Sequence, residues 1–437
     1  MKRVAVVGSG IAGLSAAWHL APHAQVTLFE AGSYFGGHAH TVDVTLDGVS
    51  HGVDTGFLVF NERTYPQLIA LFAELRVPTA KSDMSFSVQV PRIGLEWSGS
   101  SLATVFAQKR NLLRPAFLAM LADLLRFNRI TTAIATRGDD VSLQEDIAGF
   151  LDRHRFGQAF REWYFLPMIG CIWSCPTEQM LRFPVGTMIR FCHNHGLLQV
   201  ANRPQWYTVA GGSRNYVQRM LKRIGDARLN TPVRQVRRLP AEGGQRGVLV
   251  ATDHGSERFD EVVLACHSDQ SLALLADATD AERRVLGAIR YHDNRAVLHT
   301  DTAVLPERRS AWAAWNYERV ADDQERGHVC LHYLINQLQP LPFQRPVVVS
   351  LNPARPIAAE QVLGQWDYAH PVFDQAAVAA QAELPALQGL QSTWFAGAWT
   401  RYGFHEDGLM SGHAVAQALQ QRLSAPTAAT TRLREAA

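Results

Sequence analysis

The N-terminal part of the chain alternates two short apolar runs with a glycine-rich turn and a helical stretch. Residues 4–7 form a β-branched apolar run of the kind that fills a strand buried on both faces. Residues 14–20 are typical of a helix, and a second apolar run, 26–29, ends at Glu30. This order predicts a βαβ unit at the start of the chain.

The turn between the first predicted strand and the helix has the sequence GSGIAG at residues 8–13. Gly8 permits a tight turn, Gly10 lets backbone approach a pyrophosphate, and Gly13 lets the helix pack closely on the strand. The anion would bind at the helix N-terminus, which carries about half a positive charge. Glu30 lies where an acid accepts hydrogen bonds from a ribose. The pattern predicts a dinucleotide site without choosing between FAD and NAD; the alternative is a glycine-rich turn in an ordinary α/β domain.

The rest of the chain shows helical and strand-like patterns in turn. Helical patterns cover residues 65–75, 102–129, 143–166 and 409–423, whereas strand-like patterns cover 82–97, 231–236, 248–252, 261–266 and much of 283–355. From residue 424 onward the chain is rich in alanine and threonine, and we expect a disordered tail. These patterns predict a protein of the α/β class.

The predicted helical stretch at residues 102–129 is strongly basic. Pro115 is expected to open a second helix within it. Five cations stand against the single acid Asp123: Lys109, Arg110, Arg114, Arg126 and Arg129. Such a stretch can lie on an anionic membrane surface. The alternative is a helical cover on the core with a solvated basic face.

Composition limits the classes of function that the chain can serve. It has 437 residues, of which 47% are hydrophobic and 19% charged, which describes a globular protein with a large core. The net charge of +2 argues against a nucleic-acid partner. No run approaches the roughly 18 apolar residues of a spanning helix. Five cysteines, an odd number, suit a reducing cytoplasm.

A group of possible metal ligands occurs in the middle of the chain. It consists of Cys171, Cys175, Cys192, His193 and His195. The first two cysteines are separated by three residues, and no second matched pair follows. Buried structural cysteines therefore explain the pattern better than zinc, and we expect no metal site.

Five motifs in this order resemble the flavoprotein group that includes flavin amine oxidases, phytoene desaturases and protoporphyrinogen oxidase. They are the fingerprint at 8–13, the Gly36-Gly37 turn, Asp54-Thr55-Gly56, the strand after Thr231-Pro232, and the C-terminal glycine-helix. The segments FNERTYP, SDMSFSV, RRSAWAAWNY and YGFHEDGL more closely resemble a bacterial branch of NAD/FAD-binding oxidoreductases. That branch is associated with cyclopropane-fatty-acid-synthase-like methyltransferases, and it includes desaturases of methyl-branched fatty acyl chains of membrane lipids.

The resemblance implies a Rossmann-like FAD-binding domain of the glutathione-reductase type, interleaved with an α+β substrate domain. It places residues 1–75, 205–267 and 385–423 in the first domain, residues 76–204 and 268–384 in the second, and 424–437 in a disordered tail. It implies that FAD contacts Gly8, Gly10, Ile11, Ala12, Gly13, Glu30, Ala31, Gly37, His38, Thr41, Asp54, Thr55, Gly56, Phe57, Val233, Gly397, Gly408 and Leu409.

The chain departs from this group at three points. His38 replaces the usual arginine after the double glycine, so that its charge near the phosphates is lost or depends on pH. Ala398 replaces an acid that usually binds the ribityl chain. No lysine matches the flavin-facing lysine of the amine oxidases, which makes amine oxidation a weaker prediction.

The resulting hypothesis is an FAD-dependent oxidoreductase that takes hydride from an apolar substrate and desaturates a fatty acyl chain. His405 and Glu406 are candidate bases, or else residues of a turn. Trp312, Trp315 and Tyr317 either line the substrate pocket or belong to the core. The alternatives are an amine or amino-acid oxidase that releases hydrogen peroxide, and a flavin-bound subunit of a lipid-modifying assembly with a neighbouring methyltransferase. We expect a cytoplasmic protein, with peripheral contact to the inner face of the membrane if the substrate is a lipid.

Overall fold

The computed structural model describes residues 1–139, 143, 145–199, 203–242, 245–319 and 329–424. It divides into two compact units. The first unit contains Met1–Ala39, Tyr216–Ile289 and the segment that begins at Ala379, and the second contains His40–Asn215 and Arg290–Val378. Each unit is therefore assembled from segments that are distant in sequence. The predicted tail lies, beyond Ser424, outside the described residues.

The strands are β1 (Arg3–Val7), β2 (Gln25–Phe29), β3 (Thr41–Leu46), β4 (Val49–Asp54), β5 (Phe60–Asn61), β6 (Thr79–Ser82), β7 (Phe86–Val90), β8 (Leu95–Ser98), β9 (Trp206–Val209), β10 (Asp226–Arg228), β11 (Val233–Glu242), β12 (Gln245–Thr252), β13 (Gly255–Phe259), β14 (Glu261–Leu264), β15 (Arg290–His299), β16 (Trp315–Glu318), β17 (Cys330–Leu334), β18 (Val348–Leu351), β19 (Val362–Val372) and β20 (Thr393–Phe395).

The helices are α1 (Ile11–Leu20), α2 (Pro66–Leu75), α3 (Leu102–Val105), α4 (Pro115–Arg137), α5 (Ile147–Arg153), α6 (Gln158–Phe160), α7 (Leu166–Trp173), α8 (Thr177–Met180), α9 (Val185–Asn194), α10 (Arg214–Leu221), α11 (Ser268–Leu274), α12 (Asp280–Gly287), α13 (Ile335–Leu338), α14 (Gln375–Glu383) and α15 (His405–Ser424). None of the described helices is both long and apolar enough to cross a membrane.

A five-stranded parallel sheet forms the centre of the first unit. Its order is β10-β2-β1-β14-β20, and β1 pairs with β2 on one side and β14 on the other. Val4, Ala5 and Val6 are completely buried, as expected for a strand covered on both faces. The predicted βαβ unit is confirmed, although α1 begins at Ile11, three residues before the predicted start. A separate antiparallel sheet, β11-β12-β13, completes the strands of this unit.

Helices α1 and α15 pack against each other through glycines. A Cβ atom at Gly412 would lie 2.0 Å from the carbonyl oxygen of Ala12, and one at Gly408 would lie 2.7 Å from Cγ2 of Ile11. The hydroxyl of Ser15 donates to the carbonyl of Leu409 at 2.9 Å across the same contact. The predicted C-terminal helix is therefore present, but it begins one turn earlier than expected, at His405.

The second unit contains a mixed seven-stranded sheet with the order β19-β15-β18-β17-β16-β7-β8. Only the β16–β7 pair is parallel among its recorded pairings. A hairpin of β3 and β4 and a small sheet, β5-β9-β6, also belong to this unit. The expected alternation at residues 82–97 is found as β7 and β8, whereas the stretch 143–166 is broken into α5, α6 and a short π-helix, Arg161–Phe165.

The boundaries of the two units differ from the predicted domains. Residues 40–75 and 205–215 belong to the second unit because β5 and β6 pair with β9 and because the backbone N–H of Ser213 donates to Asp54. Residues 268–289 and 379–384 belong to the first unit, in which Glu282 forms a buried ion pair with Arg238. These long-range pairings are not visible in local sequence patterns.

The basic stretch at 102–129 is divided into three elements. Helix α3 is followed by a 3-10 turn, Lys109–Leu113, and then by α4. Pro115 occupies the first position of α4, as predicted, because its fixed φ and missing N–H are tolerated there.

We predict that Gly412→Ala lowers the free energy of unfolding by about 1–3 kcal/mol, because the added methyl group meets the backbone of α1. Alanine otherwise favours a helix over glycine by about 1 kcal/mol. Gly225→Ala is the matched control, since no atom lies within 4 Å of a Cβ at this exposed glycine. Urea denaturation compares the two, and a stabilised Gly412→Ala protein would contradict the packing described.

Candidate functional site

Two of the three fingerprint glycines are required by packing. Gly8 has a φ of +98°, and a Cβ there would lie 2.9 Å from the carbonyl oxygen of Ala265. A Cβ at Gly13 would lie only 1.8 Å from the carbonyl oxygen of Gly8. Any larger residue at either position would push α1 away from β1 and β14.

Gly10 is different, because a Cβ at this position would have no atom within 4 Å. It is the N-cap of α1, which has no side-chain cap and no acid in its first turn. The space beside Gly10 at this helix end is therefore open, and the helix dipole favours an anion there. This open cradle fits the pyrophosphate of a dinucleotide.

Glu30 is held beside the glycine loop at the end of β2. Its Oε2 accepts hydrogen bonds from the Ser9 backbone N–H at 3.0 Å and from the Ser9 hydroxyl at 2.5 Å. Its Oε1 accepts one from the Gly32 N–H at 2.8 Å. Thr231, two residues before Val233, donates its N–H to the Glu30 carbonyl at 2.9 Å. The carboxylate is thus fixed in place next to the cradle. Its contact with a ribose stays a prediction, and so does the contact of the exposed Ala31 with FAD.

The second glycine turn approaches the first. The Gly36 N–H donates to the Ser9 carbonyl at 3.1 Å, and a Cβ at Gly37 would lie 3.0 Å from the Cα of Gly10. Both Gly36 and Gly37 have positive φ, +124° and +59°. The structure therefore brings residues 8–13 and 36–37 together around one space.

The C-terminal residues of the predicted site lie at or near the start of α15, which packs on α1. The N–H of Gly397 donates to the Ser411 hydroxyl at 2.9 Å. A Cβ at Gly397 would lie 2.2 Å from Nε1 of Trp399, so the position is restricted to glycine. Gly408 contacts Ile11, and Leu409 is buried. These residues and the fingerprint belong to one unit.

Thr41 and residues 54–57, which were also predicted to contact FAD, lie in the second unit. Asp54 is buried, and its carboxylate accepts hydrogen bonds from the Thr41 hydroxyl, the Ser213 N–H and hydroxyl, and the Gln339 amide. Burial raises the pKa of Asp54, while these hydrogen bonds lower it. The carboxylate thus stabilises this unit internally.

Thr55 continues this network in the second unit. Its hydroxyl shares hydrogen bonds with the Tyr368 hydroxyl at 2.7 Å and with Nδ1 of His40 at 2.9 Å. Gly56 and Phe57 follow β4 in an irregular segment. The roles of Thr41 and of residues 54–57 toward FAD stay predictions, and the partners His40 and Tyr368 were not foreseen because they are distant in sequence.

Two half-buried histidines of the first unit, His38 and His405, are neutral near pH 7. Burial, and then the proximity of His38, lowers the pKa of His405 to about 3. Burial, and then His267, lowers the pKa of His38 to about 4. His405 shares a 2.6 Å hydrogen bond with the hydroxyl of Tyr216. His38 therefore supplies no positive charge at neutral pH, in contrast to the arginine that the flavoprotein group usually carries.

Two acids follow His405 in the first turn of α15. Glu406 and Asp407 are both buried. Burial raises the pKa of Asp407 to about 6, although its carboxylate accepts the Phe404 N–H at 3.0 Å. A general base works best when its pKa is near the operating pH. Asp407 was not predicted as a base, because the helix was expected to begin only at residue 409, after this acid.

A buried polar network crosses the seven-stranded sheet. Nε2 of His332 lies 3.0 Å from the Glu318 carboxylate, and Nδ1 lies 2.7 Å from the Ser350 hydroxyl, which also contacts His299. Cys330 lies beside them, 3.5 Å from Nε2 of His332. These side chains satisfy one another's hydrogen-bonding groups across strands β15 to β18. The cluster therefore serves the interior of the sheet.

The cysteines considered as metal ligands, and the tryptophan considered as a pocket residue, belong mainly to the interior. Burial raises the pKa of Cys175 and Cys192 to about 12, so that both remain protonated thiols. Trp312 packs on an apolar cluster that includes Val304 and Leu334, and its indole N–H donates to a carbonyl. The structure thus places Trp312 against the core.

We predict that acid weakens the protein through its neutral histidines. Between the ordinary histidine pKa of 6.5 and the folded value of about 3 for His405, the unfolded chain binds one more proton at this site. Stability is therefore full above pH 6.5 and falls as the pH drops towards about 3. In His405→Gln, the pH dependence should weaken by up to about 1.4 kcal/mol per pH unit.

Urea unfolding midpoints between about pH 7 and pH 5 test this prediction. His254→Gln, at an exposed histidine, is the control and should keep the wild-type pH dependence. An identical pH dependence in wild type and His405→Gln would show that His405 is not held neutral.

Comparisons with known proteins identify the family. A sequence profile described as flavin containing amine oxidoreductase matches residues 11–331. No curated protein matches the chain. Solved structures similar to this chain include a CLA-producing fatty acid isomerase from P. acnes, which is 15% identical with a TM-score of 0.67 over 95% of this chain and 98% of that one.

Two amine oxidases have a similar structure. Cyclohexylamine oxidase from Brevibacterium oxydans IH-35A is 15% identical, with a TM-score of 0.67 over 97% of this chain and 100% of its own. Wild-type putrescine oxidase bound to putrescine is 15% identical, with a TM-score of 0.68 over 96% of this chain and 99% of its own. At such identities the likeness shows the fold alone. Because the profile covers most of the sequence, the chain belongs to the flavin-containing amine oxidoreductase family and is an FAD-dependent oxidoreductase.

Proposed function

We propose that this oxidoreductase takes hydride from an apolar substrate, and that the substrate is a fatty acyl chain of a membrane lipid, which becomes desaturated. The observation that carries the proposal is the state of the buried acids in the second unit. A cationic amine would need an unpaired carboxylate or an aromatic cage to replace its hydration. An acyl chain needs neither.

Three carboxylates are buried in the described part of the second unit, and all three accept hydrogen bonds from the protein. Asp54 accepts them from Ser213 and Gln339, as described above. Glu96 accepts the N–H groups of residues 307 and 308, at 2.7 and 3.3 Å. Glu318 is paired with His332. An ammonium bound at any of these three carboxylates would have to break its existing hydrogen bonds, whereas an apolar chain leaves them intact.

The positions of the lysines agree with this preference. The chain has four lysines, and all of them are exposed: Lys2, Lys81, Lys109 and Lys222. None is therefore placed like the flavin-facing lysine that amine oxidases resembling this chain carry. This observation supports chemistry other than amine oxidation.

The first unit supplies the residues that would hold FAD. The N-terminus of α1 at Gly10 fits the pyrophosphate, and Glu30 would accept hydrogen bonds from the adenosine ribose. Val233 would contact the adenine region, while Gly397 and the start of α15 would face the ribityl chain and the flavin. Bound FAD supplies the hydride acceptor, and the protein supplies orientation and a dry site.

Desaturation also requires a base, because forming a C=C bond removes one hydrogen as hydride and the neighbouring one as a proton. The proton would pass to a group in the first turn of α15, where His405, Glu406 and Asp407 follow one another. Asp407, with a pKa of about 6, is the best matched to neutral pH. His405, with a pKa of about 3, would be a weak base.

The structural neighbours name both candidate substrate classes. The fatty acid isomerase from P. acnes acts on an acyl chain, whereas cyclohexylamine oxidase and putrescine oxidase act on amines. Oxidation of an amine or amino acid, with release of hydrogen peroxide, is therefore the second candidate function. The paired carboxylates and the exposed lysines favour the acyl chain.

Anaerobic reduction of the bound flavin distinguishes the two candidates. We expect phospholipid dispersed in detergent, with saturated or methyl-branched acyl chains, to bleach the flavin absorbance and to yield a lipid with two fewer hydrogen atoms. Putrescine and cyclohexylamine should leave the flavin oxidised. Bleaching by an amine, followed by hydrogen peroxide when oxygen returns, would contradict the proposal.

We further predict that Gly10→Val abolishes flavin binding without unfolding the chain. The valine side chain would enter the open space at the N-terminus of α1, where it meets no protein atom within 4 Å of its Cβ. Flavin absorbance per chain measures the loss, and circular dichroism and the urea midpoint of the cofactor-free proteins measure folding. Gly225→Val is the matched control and should retain flavin. A folded Gly10→Val protein with normal flavin content would show that the turn holds no pyrophosphate.

A further inference from the structure

An unusual concentration of apolar side chains is exposed on one segment of the second unit. Of the ten large hydrophobic residues that are exposed in the described chain, six lie between residues 93 and 125. We call these six the leucine surface: Ile93, Leu102, Leu112, Leu113, Leu118 and Leu125. Leu113 is 87% exposed and Leu102 is 79% exposed, so burial in this structure does not explain them.

The elements that carry the leucine surface are joined to one another. The guanidinium of Arg110, in the turn Lys109–Leu113, donates to the carbonyl of Gly94, as does the side-chain amide of Gln108 at 3.0 Å. The 3-10 turn Pro91–Ile93 is thereby attached to the turn before α4. On α4, Leu118, Ala122 and Leu125 are exposed at helical spacing, whereas Phe117 and Met120 are buried. One outward face therefore continues from the turns onto the helix.

The charges around the leucine surface have one sign. Arg92, Lys109 and Arg110 are exposed, and Arg114 is half-buried. Glu96 is the only acid from residue 91 to residue 122, and it is buried with its carboxylate bonded to backbone N–H groups. Residues 91–122 thus combine exposed apolar groups with cations and contribute no exposed acid of their own.

Two of the five cations expected in this stretch lie outside the leucine surface. Arg126 donates to the Asp123 carboxylate at 2.7 Å and to the His154 carbonyl at 2.7 Å. Arg129 lies at the far end of the exposed face, beside a groove that also contains Thr132 and Leu198. The contacts of Arg126 fix it to its own unit.

From this arrangement we propose that the leucine surface docks on an anionic lipid bilayer, with its leucines in the apolar layer and its cations at the headgroups. The inference rests on the proposed function, since it states where an acyl substrate would be obtained. Leucine beside lysine and arginine is the composition of interfacial segments. Protein interfaces are instead enriched in aromatic residues and methionine, and the exposed large hydrophobic residues of this surface include neither.

Vesicle flotation tests the docking directly. The probes are phosphatidylcholine vesicles with and without about 30% phosphatidylglycerol, at low and at high salt. We expect the flavin-loaded wild type to float with the anionic vesicles at low salt and to be released in part at high salt. The triple variant Leu112→Gln, Leu113→Gln and Leu118→Gln should lose binding at least about tenfold. Arg92→Gln, Lys109→Gln and Arg110→Gln together should abolish the preference for anionic lipid.

Matched controls change the same residue types elsewhere. Leu363→Gln with Leu390→Gln alters two other exposed leucines, and Arg283→Gln with Arg345→Gln alters two exposed arginines. Both controls should float like wild type, and all variants should keep their flavin. Equal losses in the variants and their controls, or a wild type that binds neither vesicle, would overturn the proposal.

A second measurement places a probe at the surface itself. Leu113→Cys can carry an environment-sensitive fluorophore, because four native cysteines are buried and Cys266 is half-buried. Its emission should shift to the blue with anionic vesicles, whereas the same label at Leu390→Cys should not respond. A wild type that is dimeric without vesicles, and a leucine variant that is monomeric, would instead assign the surface to a second copy of the chain.

A failure of membrane docking can be distinguished experimentally from a failure of the proposed desaturation. Detergent-dispersed lipid should reduce the flavin of wild type and of the leucine variant equally, because docking is then not required. If such lipid fails to reduce wild type while vesicle binding persists, the proposed function fails and the docking stands. If detergent-dispersed lipid works and no vesicle is bound, the docking fails alone.

Discussion

The first unit depends on backbone contacts that admit no side chain. Gly13 lies against the carbonyl of Gly8, and Gly412 against that of Ala12, so that α1 is fixed closely between the parallel sheet and α15. Because these contacts fix the axis of α1, its N-terminus is held at the open space beside Gly10. The glycines of this unit therefore serve two purposes. Gly8, Gly13 and Gly412 allow close packing, whereas Gly10 keeps room for a pyrophosphate. The family assignment and this geometry agree on FAD.

The local part of this arrangement could be predicted from the sequence, because a buried strand, a glycine turn and a spaced acid are all recorded within thirty consecutive residues. The division of the chain into two units could not be predicted from such local patterns. Pairing of β5 with β9 and of β16 with β7 joins residues more than a hundred positions apart. The hydrogen bonds that the Asp54 carboxylate accepts from Ser213 and Gln339 could not be predicted either, since those partners come from distant segments.

Burial decides the chemistry of the titratable groups, and it too is invisible in a linear pattern. His405 is an obvious candidate base by residue type, yet its pKa of about 3 makes it weak, whereas the neighbouring Asp407 is raised to about 6. Likewise, the basic character of residues 102–129 was evident, but only the structure separates Arg126, which pairs with Asp123, from the exposed leucines and cations.

The most direct test of the account is the identity and amount of the bound cofactor. Protein purified without added nucleotide, or refolded with an equimolar mixture of FAD, FMN and NAD, is denatured and its released cofactor is identified by mass spectrometry and quantified against chain concentration. The account predicts FAD, at one molecule per chain. The family assignment selects a flavin, and the cradle at Gly10 with the acid at Glu30 suits a pyrophosphate joined to an adenosine, which FMN lacks. Recovery of NAD or FMN, or of no cofactor from correctly folded protein, would contradict it.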